Sequence, residues 1–169
     1  MRLFIFILLV ICFSGCLWAQ DSAVKLLKQA KTHLDEGKYP MAINAAYKAL
    51  KQAEKEHNRF LIGKSYWLLG SISYYNNQDD KNKALKYYSD ALHVYEKIRE
   101  DSLCAMLNYN LGAIYIEKKE FDSAVVRLNK SKDFFKNRKQ YWHISRINSV
   151  LAEMYLPEST QIEKSLPYI

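Results

Sequence analysis

Asn110-Leu111-Gly112-Ala113-Ile114-Tyr115, followed after three residues by Lys119-Glu120-Phe121-Asp122-Ser123-Ala124, decides the fold of this chain. The stretch reads as the end of one helix, a short polar turn and the start of a second helix. Gly112 and Ala124 are small where two helix backbones would meet. Working outward, Ala30, Gly70, Gly112 and Ala152 recur at intervals of 40, 42 and 40 residues, and Ala42, Ala84 and Ala124 at 42 and 40. Two independent markers holding one period of this size predict a solenoid of stacked helical units.

Each period holds two amphipathic segments. In the first (20–58), a helix over about Ser22 to Glu36 is followed by a turn at Gly37-Lys38 and a helix from Tyr39 to about Glu56. The stripe Tyr39, Ala42, Ile43, Ala46, Ala49, Leu50 and Ala53 keeps the three-and-four spacing of one helix face. The second unit (59–100) has a helix over Arg59 to Tyr75 and a turn from Asn76 to Lys81 that is two residues longer than its counterparts. Its second helix is expected to open with Asn82 as cap and to bury Ala84, Leu85, Tyr88, Ala91, Leu92, Tyr95 and Ile98. The third (101–140) is expected to cap its first helix at Asp101-Ser102 and to begin its second near Phe121-Asp122, with Ala124, Val125, Leu128 and Phe135 inward. The fourth (141–169) has one clear helix, from about Tyr141 to Tyr155, ended by Leu156-Pro157. Pro167 stops any partner helix over Ile162 to Ile169 early. Arrays normally close with a polar helix. None is visible, so either the natural chain is expected to continue beyond Ile169 or the last helix to stay loosely ordered.

A helix ending Leu-Gly-x-x-Tyr, then a turn, an aromatic residue and an alanine three positions later, resembles the tetratricopeptide repeat (TPR). Leu111, Gly112, Tyr115, Phe121 and Ala124 carry the resemblance best. Leu69, Gly70, Tyr88 and Ala91 carry it in the second unit, and Ala30, Gly37, Tyr39, Ala42 and Ala49 in the first. The family repeat is about 34 residues, and the proline that commonly closes it is absent after all three second helices; the first-unit tyrosine slot holds His33. The pattern is thus similar to the longer repeats of exported and regulatory bacterial proteins. The resemblance implies an all-α, right-handed superhelix of antiparallel helix pairs, about three and a half repeats long.

Composition agrees with an all-α chain: 49% of its 169 residues are hydrophobic, and it has only five glycines and three prolines. Net charge is +7, but acids and lysines alternate along the helical stretches, as in Lys51-Gln52-Ala53-Glu54-Lys55-Glu56 and Glu117-Lys118-Lys119-Glu120. That is a solvated helix surface rather than a nucleic-acid footprint, and no nucleic-acid partner is expected.

Residues 1–19 read as a signal peptide. Arg2 supplies the positive start, Leu3 to Phe13 is an unbroken apolar run too short for a membrane-spanning helix of about 20 residues, and Ala19-Gln20 offers a cleavage point. Phe13-Ser14-Gly15-Cys16 also resembles the bacterial lipoprotein box, which would make Cys16 a lipidation site and give membrane association through a lipid anchor. Cys12 and Cys16 both lie in this segment, so Cys104, beside Leu103 and Leu107, is read as a small core hydrophobe.

Signatures of catalysis are poor. His33, His57, His93 and His143 lack metal-ligand spacing and fall in different segments. His33 is read as a core substitution, His57 as a turn residue, and the other two as surface or helix-start residues. Gly63-Lys64-Ser65 resembles the tail of a phosphate-binding loop, but Asn58 stands where that loop needs glycine, and a helix rather than a strand is expected there. The chain is therefore read as non-enzymatic, with no cofactor and no metal.

Binding is the expected role. The resemblance places the partner-binding concave face on Lys64, Trp67, Ser71, Tyr74 and Tyr75 in the second unit and on Met106, Tyr109, Ala113, Ile116 and Glu117 in the third. A clamp for a C-terminal carboxylate would need lysine and asparagine where Leu27 and Lys31 stand. The expectation is a periplasmic or envelope-associated scaffold for a protein or peptide partner, or the N-terminal sensing part of a larger signalling or regulatory protein. The alternative is a lipid-anchored structural component of an outer-membrane assembly.

Overall fold

The computed structural model describes residues 22–76 and 81–154. The expected leader and Cys16, the middle of the 76–81 turn, and everything from Tyr155 onward, including Leu156-Pro157 and the 162–169 segment, lie outside the described residues. Within them the chain is an all-α helical repeat: α1 (22–35), α2 (Tyr39–Lys55), α3 (Arg59–Tyr75), α4 (Lys81–Lys97), α5 (Asp101–Glu117), α6 (Phe121–Asn137) and α7 (Tyr141–Glu153), with no strand among the described residues. It divides into two compact units, one ending at Glu100 and the other beginning at Asp101.

Five helices, α1, α2, α4, α5 and α6, stop for one repeated reason. Gly37, His57, Arg99, Lys119 and Lys139 all take left-handed backbone, with φ of 70, 53, 59, 59 and 56°. At each, the left-handed residue's N–H bonds the carbonyl three positions back, and the next N–H bonds the carbonyl five positions back, as in Gly37 to Leu34 and Lys38 to His33. This paired closure satisfies the orphan carbonyls of a helix C-terminus. It leaves a three-residue linker, so no proline is needed to end a helix.

Helix starts are less uniform. Asn58 caps α3, its side chain accepting from the Leu61 N–H at 3.1 Å. Pro40 lies in the first turn of α2, where its missing N–H costs nothing. Two expected caps are displaced. Asp101 is already the first residue of α5, where its charge faces the positive end of the helix dipole, and Asn82 lies inside α4, which begins at Lys81.

In the first unit, α1, α2 and α3 share two apolar clusters. Ala30, Ala42, Ala45, Ala46, Leu50, Leu69 and Ile72 form one, and Ala23, Leu27, Ala49, Ala53 and Leu61 the other. Between α3 and α4, Tyr88 sits on Gly70 and Tyr95 on Gly63; the order of the pairs is reversed along the two helices, so the hairpin is antiparallel. The second unit repeats this arrangement with Leu128 of α6 on Gly112 of α5, and with Ala105 and Phe135 in one cluster that Ile147 of α7 completes. The small residues thus do more than let backbones approach: large side chains of the same hairpin lie over them.

Candidate functional site

The first helices of successive hairpins, α1 and α3, flank a groove of about 1080 Å³ in the first unit. Its floor is apolar, from Leu27, Leu34, Leu61 and Leu68, and Trp67 and Tyr75 stand along it. Trp67 is half-buried, with its ring edge-on to Tyr95 at 6.5 Å. Tyr75 is 57% exposed and is braced by Tyr74, ring to ring at 5.1 Å.

The polar groups of the groove are mostly basic. Lys28, Lys31 and Lys64 line it against the single carboxylate of Asp35, which Lys31 engages at 2.9 Å. Lys28 and Lys64 are left to give the groove a positive balance. At its end the Lys38 ammonium, 2.9 Å from Glu36, holds that carboxyl below its usual range. Ser71 is committed within the protein. Its hydroxyl donates to the Trp67 carbonyl at 3.2 Å and accepts from the Tyr88 hydroxyl at 3.2 Å.

Four of the five residues expected on the binding face of the second repeat (59–100) therefore meet in one groove: Lys64, Trp67, Ser71 and Tyr75. Tyr74 does not line it and serves as a brace. In the second unit, Met106 and Tyr109 open on a smaller pocket of about 190 Å³, shared with α6 and α7. Ala113 is half-buried outside it, Ile116 packs on the core cluster, and Glu117 ends α5 on the exposed surface.

Sequence reasoning passed over the α1 side of the groove. Val24, Leu27, Lys31, Leu34 and Asp35 stand forty residues before Lys64, Trp67, Ser71, Tyr74 and Tyr75, and none of these five α1 positions has a binding role in the sequence reading beyond the rejected clamp at Leu27 and Lys31. Carrying the repeat register backward would have found them. Carried forward from Met106, the same register reaches Arg146, which lines the smaller pocket.

The other sequence candidates are accounted for locally. Gly63-Lys64-Ser65 is inside α3, where Gly63 and Ser65 are buried and the Ser65 hydroxyl donates to the Leu61 carbonyl at 2.8 Å. His57 is a turn residue with left-handed backbone. His33 is half-buried beside Glu36, and His143 stacks flat on Phe135 at 4.1 Å. Cys104 is half-buried in α5. Among the described residues no group of three His, Cys, Asp or Glu could hold a metal ion, and no helix is long and apolar enough to cross a membrane. Neither a scan against protein-family models nor a search of curated proteins finds a match for this chain.

Proposed function

We propose that the chain is a non-catalytic TPR-like scaffold whose α1–α3 groove binds a segment of a partner protein that is apolar on one side and acidic on the other. The observation that carries this reading is the groove's composition. Exposed Tyr75 and half-buried Trp67, Leu34 and Leu68 provide apolar contact area, and the surplus of lysine favours a partner of opposite charge. Apolar grooves between helices receive an amphipathic helix or an extended chain.

A direct test uses two labelled 15-residue amphipathic peptides of equal leucine content, one carrying glutamate and the other lysine on the polar face. The glutamate peptide is expected to bind at least tenfold more tightly, and Trp67→Ala to weaken it without unfolding the protein. Equal affinity for the two peptides, or full affinity in the folded Trp67→Ala variant, sinks the assignment.

The sequence of residues 1–20 supports export, and with it a place in the bacterial envelope as a scaffold or as the sensing part of a larger signalling protein. The Phe13-Ser14-Gly15-Cys16 motif favours one second reading, a lipid-anchored component of an outer-membrane assembly. Mass spectrometry of the mature N-terminus separates the two: a start at Gln20 or Asp21 supports ordinary export, and diacylated Cys16 supports the anchored form.

A further inference from the structure

We infer that the pocket between α5, α6 and α7 binds a small organic acid, a carboxylate carried on a ring-sized apolar body. The inference stands on Arg146. Its guanidinium carbon lies 4.9 Å from the ring centroids of both Tyr109 and Trp142, and its Nη2 donates to the Tyr109 hydroxyl at 3.3 Å. Two aromatic rings thus hold the cation from different helices. A guanidinium carries five N–H donors in a rigid fork, and only one of Arg146's is taken up by this contact.

Nothing in the pocket answers that charge. No Asp or Glu lines it, and no carboxylate among the described residues pairs with Arg146. Apart from Asn110, the remaining wall is apolar or aromatic. Phe135 and His143 stack with centroids 4.1 Å apart and planes 9° from parallel, and the Trp142 ring stands edge-on to His143 at 4.9 Å. A pre-oriented guanidinium beside aromatic rings recognises a planar anion with an apolar body, because the fork matches a carboxylate bidentately and the ring faces give the body apolar contact.

Size narrows the class. The pocket volume is about 190 Å³, and a cavity of about 150 Å³ accepts a benzene ring. One ring with its carboxylate fills the space, so a free small acid is favoured over a polypeptide segment. This site is in the second unit and is independent of the groove proposed above, so either can fail alone.

The test is titration of the ¹⁵N-labelled protein with phenylacetate, followed at the Trp142 indole N–H. Saturable binding is expected in the range of about 1–10 mM, as befits ten heavy atoms. The neutral analogue 2-phenylethanol is expected to bind at least tenfold more weakly. Arg146→Gln should weaken phenylacetate at least tenfold, and Arg146→Lys, which keeps the charge without the fork, should fall between. Lys130→Gln, on exposed α6 surface, should leave binding unchanged. Equal binding of acid and alcohol, or undiminished binding by a folded Arg146→Gln protein, overturns the site. Binding of acetyl-Gly-Gly-Phe at least tenfold more tightly than phenylacetate overturns the small-acid assignment.

Discussion

Tyr88 lays its ring against Gly70 so closely that a Cβ on that glycine would stand 2.6 Å from the ring's Cδ1. The two residues come from opposite helices of the α3–α4 hairpin and define its separation. Tyr88 is only 4% exposed, so its ring has little room to retreat.

Gly70→Ala should therefore destabilise the first unit. Overpacking costs about 1–3 kcal/mol, and the better helix propensity of alanine returns about 1 kcal/mol. A net loss of up to about 2 kcal/mol is expected in urea unfolding, with the m-value unchanged. Adding Tyr88→Leu should recover part of the loss as a coupling in the double-mutant cycle. Strict additivity would show that the ring is not what the new methyl meets. Gly63→Ala should cost less, since Ala105 occupies the equivalent place opposite Phe135 in the second unit.

The same ring makes stability sensitive to alkali. Burial pushes the Tyr88 phenol up to about 12, against a smaller opposing effect of its hydrogen bond to Ser71. A group whose pKa is raised by folding contributes its full stability below the unfolded value near 10, and that contribution disappears as pH rises toward the folded value. Between about pH 10 and 12 the unfolded chain has released this proton and the folded one has not, so stability should fall by about 1.4 kcal/mol per pH unit from this group. Tyr88→Phe should make the fall shallower by about one proton. Tyr87, raised to about 12 by burial and its hydrogen bond to Tyr47, titrates over the same window and is the reason for comparing slopes rather than endpoints. Identical slopes in wild type and Tyr88→Phe would refute the assignment.

The turn residues offer the opposite kind of change. Left-handed backbone costs a non-glycine residue about 1 kcal/mol or slightly more. His57→Gly and Lys139→Gly should each raise stability by about 0.5–1 kcal/mol after the added entropy of the unfolded chain is allowed for. Gly37→Ala should lower it by a similar amount. Thermal unfolding of the three single variants checks the sign at each turn.

Ser131 presents a buried hydroxyl without a hydrogen-bond partner, at 0% exposure inside α6. Forty residues earlier the equivalent position is Ala91, also buried. Ser131→Ala should stabilise the second unit by about 1 kcal/mol, the desolvation cost of an unanswered polar group. A loss of stability on this substitution would mean that the hydroxyl has a partner after all, such as an ordered water.

The helices were legible because their cause is local. Apolar spacing at three and four, and small residues at a fixed period, mark Tyr39, Arg59, Phe121 and Tyr141 as helix starts, and the structure begins helices at those residues. The caps were harder to read. Asp101 and Asn82 are good capping residues by type, but the closures at Arg99 and the register of α4 put them inside their helices. Nor could the sequence show that His57, Arg99, Lys119 and Lys139 would do glycine's work, since their side chains carry no signal for left-handed backbone. At the groove, the family resemblance pointed to Trp67 and Lys64, but that Ser71 is spent on Tyr88 and that Tyr74 braces Tyr75 outside the groove depends on side-chain directions that spacing does not fix. Arg146 escaped notice because one arginine in a helix looks like surface until two rings are found around it.

The five identical turns have a kinetic consequence. Each is closed by atoms no more than six residues apart along the chain. A helix therefore learns where to end from its own last turn, and a hairpin can reverse direction before any remote part of the polypeptide exists. Few distant ends have to search for one another, and folding of this kind is fast because little loop-closure entropy stands in its way. The corresponding hazard is adhesion: every hairpin that forms early shows an uncovered apolar flank until its neighbour arrives, and during that interval a second molecule can serve as the neighbour just as well.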